Sequence, residues 1–141
     1  MLVLHSILFA DNNICMVWSQ LAELRTPSIS TTDFLYLRFI GDRSIHDEDF
    51  GKIQKDRVME IKKWAGKVRR VVKEEGRGRK NINLAIVSAN NHYAGFGPGT
   101  ANIFRKMIGL PELTWGEETD KSHLHGNLYH SNQSSLSEFT A

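Results

Sequence analysis

Three short apolar runs constrain the fold of this chain more than any other feature. They occupy residues 14–18, 34–41 and 82–89, and the last two flank a long helical pattern. A short continuous apolar run is typical of a strand that is covered on both faces, as in a parallel sheet. Strands of this kind that alternate with helices predict an α/β fold with parallel strands.

The clearest helical pattern covers residues 56–75. Apolar residues recur there at three-to-four spacing, and the lysines and arginines fall mostly outside that stripe. Asp56 can cap the first turn, and Gly76 stands where a helix commonly ends. Further helices are predicted over residues 98–108 and, more briefly, over residues 1–10.

The remaining segments divide the chain into one domain and a tail. Residues 19–33 are predicted to be a connection with one helical turn at LAEL, residues 21–24. Residues 42–55 form a long charged loop. We therefore predict a single partial domain over residues 1–114 and a polar, disordered tail over residues 115–141.

Composition excludes little but sets the background. The chain has 141 residues and a formal net charge of +2, which is too small a surplus to indicate a nucleic-acid partner without a clustered basic patch. Cys15 is the only cysteine, so no internal disulfide forms, as is typical of cytoplasmic proteins. The apolar opening segment is too short to span a bilayer, so no membrane partner is expected.

Two motifs accompany the second and third apolar runs, the first within its run and the second directly after its run. The first has the form Tyr-x-Arg-x-x-Gly and consists of Tyr36, Arg38 and Gly41. The second is built around an asparagine pair and consists of Asn90, Asn91, Gly95, Ala101 and Asn102. In this order and spacing, over roughly residues 10–115, they resemble the C-terminal part of the YecE-like family, known as the domain of unknown function 72 family.

The resemblance implies a TIM-barrel fold in a longer chain and supplies no assigned reaction. We therefore expect the C-terminal portion of a TIM-type (β/α) barrel, truncated and incomplete as a barrel. An isolated half-barrel exposes sheet edges and apolar faces, so a homo-oligomer is the expected assembly. Whether the chain is an enzyme stays open, because barrel active sites draw residues from several strands.

Ligands of such barrels bind at the carboxyl ends of the strands, where we place the candidate site. Arg38 is expected to face a carboxylate, a phosphate or carbonyl groups, either in a small anionic ligand or in a structural ion pair. Asn90 and Asn91 are candidates to hold polar ligand groups, or simply to form a turn. Tyr36 and Trp18 complete this predicted rim.

Asp42 and His92 are the candidate acid and base, provided that both side chains approach the same point. The sequence AGFGPGT, residues 94–100, resembles a phosphate cradle in which Gly95 and Thr100 contribute, but glycines that permit a tight strand-to-helix turn explain it better, and an anion site stays the open alternative. The acidic run at residues 46–49 and the three histidines of the tail predict no fixed metal site, and no cofactor is predicted.

Two hypotheses from different classes remain. One is a small-molecule enzyme, or the remnant of one, with an anion site at the strand ends. The other is a non-catalytic barrel fragment that acts by self-association, or by weak contacts between its basic helix and nucleic acid.

Overall fold

The computed structural model describes residues 2–21, 24–73 and 81–115. The predicted α/β class is confirmed: helices pack on a four-stranded sheet. In chain order the elements are α1 (Leu2–Asp11), β1 (Trp18–Leu21), β2 (Leu24–Arg25), β3 (Phe34–Phe39), a 3-10 turn (Asp47–Asp49), α2 (Val58–Lys73), β4 (Leu84–Ala89), α3 (Asn91–Ala94) and α4 (Gly97–Met107).

The sheet has the order β2-β1-β3-β4. Strands β1, β3 and β4 are parallel to one another, with Leu37 of β3 opposite both Trp18 and Val87. Strand β2 folds back on β1 as an antiparallel hairpin. The predicted parallel pairing is therefore confirmed for the three longer strands.

The prediction for the first strand is wrong in its position. Residues 14–17 lie outside the sheet and β1 begins at Trp18. The hydroxyl of Thr31 accepts a hydrogen bond from the Met16 amide at 2.8 Å and donates one to the Ile14 carbonyl at 2.7 Å. Because a side chain satisfies these backbone groups, they need no strand partner.

The helical turn predicted at LAEL is also wrong. Leu21 pairs with Leu24 in the β1–β2 hairpin. After β2, the Thr26 hydroxyl links the chain back to the β1 segment. It accepts a hydrogen bond from the Ser19 amide at 2.7 Å and donates one to the Val17 carbonyl at 3.1 Å. The described residues of this crossover, 24–33, contain no helix.

The long central helix follows its sequence pattern closely. Asp56 accepts a hydrogen bond from the Val58 amide at 3.0 Å, as expected for a residue that caps the first turn. The buried stripe of α2 consists of Ile61, Trp64, Ala65, Val68 and Val72. Gly76, the predicted end of the helix, lies outside the described residues.

In the part of the chain that the structure describes, the core lies on one face of the sheet. In β3, Leu35, Leu37 and Phe39 are buried against α2, α3 and α4. On the other face Leu84 and Ile86 of β4 are 53% and 43% exposed. The prediction that the strands are covered on both faces is therefore wrong for the part of the chain that the structure describes.

The two ends of the described chain complete the fold. The predicted N-terminal helix is confirmed as α1, although Leu4 and Leu8 remain exposed. After α4, Asn102 accepts from the Leu113 amide at 2.9 Å and donates to the Leu113 carbonyl at 2.6 Å. Trp115 then packs edge-on against Phe96, with ring centroids 6.3 Å apart. The predicted tail beyond residue 115 lies outside the described residues.

Candidate functional site at the carboxyl edge of the sheet

The fold brings the two sequence motifs to the same edge of the sheet. Strands β3 and β4 are neighbours, with Arg38 opposite Ser88. Just past the strand ends, the Asn90 amide donates to the Phe39 carbonyl at 2.8 Å. The loop after β3 and the start of α3 therefore form one continuous surface.

Gly41 sets how closely these two loops approach. Its φ is +82°, and a Cβ at this position would lie 2.2 Å from the carbonyl oxygen of His92. A side chain is thus excluded by both the backbone conformation and the space available. The glycine of the first motif is explained by packing against the second.

Both asparagines of the second motif use their side-chain oxygens to hold backbone. Asn90 caps α3 by accepting from the His92 amide at 2.7 Å. Asn91 accepts from the Gly97 amide at 2.8 Å, at the start of α4. These contacts correspond to the turn interpretation that the sequence left open.

The predicted phosphate cradle is already filled by the protein's own contacts. Gly95 has a φ of +100° and a Cβ there would meet the Lys52 carbonyl at 2.4 Å, so the glycine permits close packing. Thr100 is fully buried, and its hydroxyl donates to the Phe96 carbonyl at 3.0 Å. Since the Gly97 amide is bound by Asn91, this junction has the properties of a tight turn.

Tyr36 and Arg38 project from the uncovered face of the sheet. Arg38 is exposed, and its guanidinium carbon lies 6.0 Å from the centroid of the half-buried Tyr36 ring. The Ser88 and Tyr36 hydroxyls are 3.4 Å apart on the same face. A cation and two hydroxyls are thus presented together near the carboxyl edge.

Trp18 does not share this face. It lies at the start of β1, is 1% exposed, and packs against Trp64 with ring centroids 6.0 Å apart. Its indole nitrogen donates to the Ile29 carbonyl at 2.9 Å. The predicted position of Trp18 at a carboxyl end is therefore wrong, because the strand starts later than the sequence pattern indicated.

His92 lies in an open cleft of about 590 Å³ beyond the strand ends. Its Nδ1 is 3.2 Å from the Ile45 carbonyl, which can only accept, so Nδ1 carries the proton. In the neutral imidazole, Nε2 is then the acceptor, and it lies 3.8 Å from Oδ1 of Asp47. This arrangement suits proton exchange with a group in the cleft.

Asp42 is directed elsewhere. Its carboxylate accepts from the Ser44 amide at 3.1 Å and pairs with Nζ of Lys55 at 3.2 Å. The Ser44 hydroxyl and amide, together with the Lys55 ammonium group, hold the pKa of Asp42 well below its usual range. A carboxylate so stabilised is a weak base, and the charged group beside His92 is Asp47 instead.

A comparison with protein-family models finds a match. The family described as Protein of unknown function DUF72 matches residues 6–123. The chain belongs to the DUF72 family. This confirms the family resemblance seen in the two motifs. No curated protein and no solved structure matches the chain.

The described part of this DUF72 protein contains neither a metal cluster nor a membrane span. No three of its described His, Cys, Asp and Glu side chains are grouped so that they could hold a metal ion. No described helix has the length and apolar character needed to cross a membrane. The histidines of the predicted tail lie outside the described residues.

Sequence reasoning missed two residues of the cleft in this DUF72 protein. Asp47 belongs to the acidic run that was interpreted as a solvated loop, and its Oδ1 lies 3.8 Å from Nε2 of His92, which comes from a distant part of the chain. Arg43 also lines the cleft and has a φ of +60°, which is unusual for a residue other than glycine. Only its position two residues after the first motif could have indicated it.

Proposed function

We propose that this DUF72 protein binds a small anionic ligand at the carboxyl edge of its parallel sheet. The observation that carries the proposal is Arg38, the penultimate residue of β3, on the uncovered face. Among the described residues, no carboxylate lies within ion-pair distance of Arg38. This favours the ligand interpretation over an internal ion pair, because an arginine fork suits a carboxylate or phosphate.

The proposal includes the finer fold, a segment of a (β/α) barrel. It is supported by three parallel strands with their helices on one face only. In a barrel the uncovered face would be the interior, and Arg38 would point into it from near the mouth. Ligands of parallel α/β folds commonly bind at that end of the strands.

Each residue of the site has a distinct role in this proposal. Arg38 binds the anionic group, and the hydroxyls of Tyr36 and Ser88 bind a polar substituent beside it. Asn90 and Asn91 hold the loop that carries His92. His92 exchanges a proton through Nε2 with a ligand that extends into the cleft, where Arg43 contributes a second positive charge.

The test is a thermal-shift and calorimetric titration with inorganic phosphate, malonate and citrate. We expect Arg38→Gln to weaken binding of the best probe roughly 10- to 100-fold, the loss typical of one charge-assisted hydrogen bond. Arg69→Gln is the matched control, because Arg69 is exposed on α2, away from the uncovered face. Equal affinity of the wild type and Arg38→Gln for every probe would reject the proposal.

A second candidate function is self-association through the uncovered face with another copy of the chain. The exposed Leu84 and Ile86 of β4, together with Leu21 at 38% exposure, favour it. Burying such an apolar face would stabilise a dimer. Light scattering should then give a dimer for the wild type and a monomer for Ile86→Lys, whereas a monomeric wild type would reject this candidate.

A further inference from the structure

A second cleft lies on the opposite side of the sheet from Arg38, between α2 and the β1–β2 hairpin. Its volume is about 340 Å³, and its floor includes Gln20 and Trp64, whose indole nitrogen donates to the Gln20 side-chain oxygen at 2.9 Å. Five basic side chains are among its described lining residues: Arg25, Lys62, Lys63, Lys67 and Arg70. The cleft shares no lining residue with the carboxyl-edge site.

The cleft exists because of the way the chain crosses from β1 to β3. The described part of that crossover contains no helix and is hydrogen-bonded to the β1 segment through Thr26 and Thr31. It therefore does not supply a helix that would pack beside α2. On the helix itself, Gly66 leaves the wall open, since a Cβ added there would meet no atom within 4 Å.

The positive charges in the cleft are poorly balanced by Glu60, the carboxylate among its described lining residues. Oε1 of Glu60 pairs with Arg57 at 3.1 Å, and Oε2 accepts from the Tyr93 hydroxyl at 2.9 Å. Both oxygens are thus occupied outside the cluster. Burial, followed by the charges of Arg25 and Arg70, lowers the pKa of Lys67, as expected where like charges crowd together.

Trp64 restricts the kind of anion that fits. The ammonium group of Lys67 lies 4.0 Å from the centroid of the Trp64 ring, and the indole is 2% exposed. A nucleobase therefore has no open aromatic surface on which to stack. A ligand would be recognised through its charged groups, which the arginine and lysine side chains can bind directly.

We propose that this basic cleft binds the phosphate groups of a small polyphosphate-bearing ligand. Its volume lies near the lower end of the usual range for ligand sites, about 300–1,000 Å³. A diphosphate offers several negative charges and acceptors to a cluster of five cations. Binding at this cleft does not depend on the carboxyl-edge site, so each of the two proposals can be rejected without affecting the other.

The test is calorimetric titration of the full chain with sodium pyrophosphate at low salt. The double variant Lys63→Gln, Arg70→Gln removes two exposed cations of the cleft. The variant Arg69→Gln, Lys73→Gln is matched to it, since it removes the same charge from exposed positions of the same helix outside the cleft. We expect the cleft variant to weaken binding at least about tenfold more than the matched variant.

Further variants and a second ligand distinguish the possible outcomes of this titration. The two double variants should differ by the same factor when each is made in the Arg38→Gln background, which impairs the carboxyl-edge site, so failure of this proposal does not depend on the other site. Equal losses in the two double variants would overturn the proposal, because only the net charge would matter. A single-stranded thymidine oligonucleotide that binds more tightly than pyrophosphate, with affinity rising with length, would also overturn it in favour of nucleic-acid backbone binding.

Discussion

The hydroxyl of Tyr93 donates a hydrogen bond to Oε2 of Glu60 at 2.9 Å, linking α3 to the first turn of α2. Arg57 contacts both residues. It pairs with Oε1 of Glu60 at 3.1 Å, and its guanidinium carbon lies 5.3 Å from the centroid of the Tyr93 ring. This partly buried cluster fixes α3, and with it the loop that carries His92.

Tyr93→Phe should therefore lower the free energy of unfolding by about 1.5–3 kcal/mol at neutral pH, the usual net value of one hydrogen bond to a charged group. Urea unfolding measures it. Tyr36→Phe is the control, because Tyr36 lies on the uncovered face and its hydroxyl is 3.4 Å from Ser88. Equal stability of Tyr93→Phe and the wild type would contradict this role of the hydroxyl.

Tyr93 also predicts a pH dependence. Burial and the hydrogen bond to Glu60 raise the pKa of Tyr93 well above its usual value. As the pH rises above about 10, the unfolded chain loses this proton while the folded chain keeps it, so stability falls. Unfolding curves recorded across the alkaline range should show that the free energy of unfolding falls less steeply with pH for Tyr93→Phe than for Tyr36→Phe. Parallel curves would count against the linkage.

Gly41 and Gly51 form a matched pair for a substitution by alanine. Both have positive φ, but a Cβ at Gly41 meets the His92 carbonyl at 2.2 Å, and one at Gly51 meets nothing within 4 Å. Gly51→Ala should lower the free energy of unfolding only by the penalty for a non-glycine residue at positive φ, about 1–2 kcal/mol. Gly41→Ala should reach about 4 kcal/mol or more, the exceptional end for single substitutions. Thermal unfolding of the two variants measures the difference, and similar melting temperatures would refute it.

Asp42 should remain ionised at pH values where ordinary carboxyl groups have taken up a proton. Its stabilisation comes first from Ser44 and then from Lys55. An NMR titration of the side-chain carboxyl carbon should show a pKa well below the usual range. Ser44→Ala should raise it more than Lys55→Gln does. The reverse order would mean that the ion pair, rather than the hydroxyl, controls this carboxylate.

Local signals in the sequence predicted the elements that depend on local interactions. The α2 helix was predicted closely because its apolar period and the Asp56 cap are encoded within the helix and its first turn. The apolar run at residues 34–41 likewise marked the strand β3, which covers Phe34–Phe39. These features needed no knowledge of the rest of the chain.

Long-range contacts explain what the sequence did not predict. The start of β1 was missed because Thr31, 15 residues beyond Met16, satisfies the backbone there. The contact of His92 with the Ile45 carbonyl joins residues 47 positions apart, and no local pattern marks it. The close packing in residues 94–100 likewise depends on a distant residue, because the Lys52 carbonyl, from a separate loop, packs against Gly95.

An NMR titration of the isotope-labelled wild-type protein with inorganic phosphate tests the central claim most directly. Binding at the carboxyl edge predicts saturable shifts of the Arg38 side-chain Nε–H resonance and of the Asn90 and His92 amides, and Arg38→Gln should abolish them. Shifts confined to Lys67 and the other residues of the basic cleft, or no shifts at all, would contradict the proposed site at the carboxyl edge.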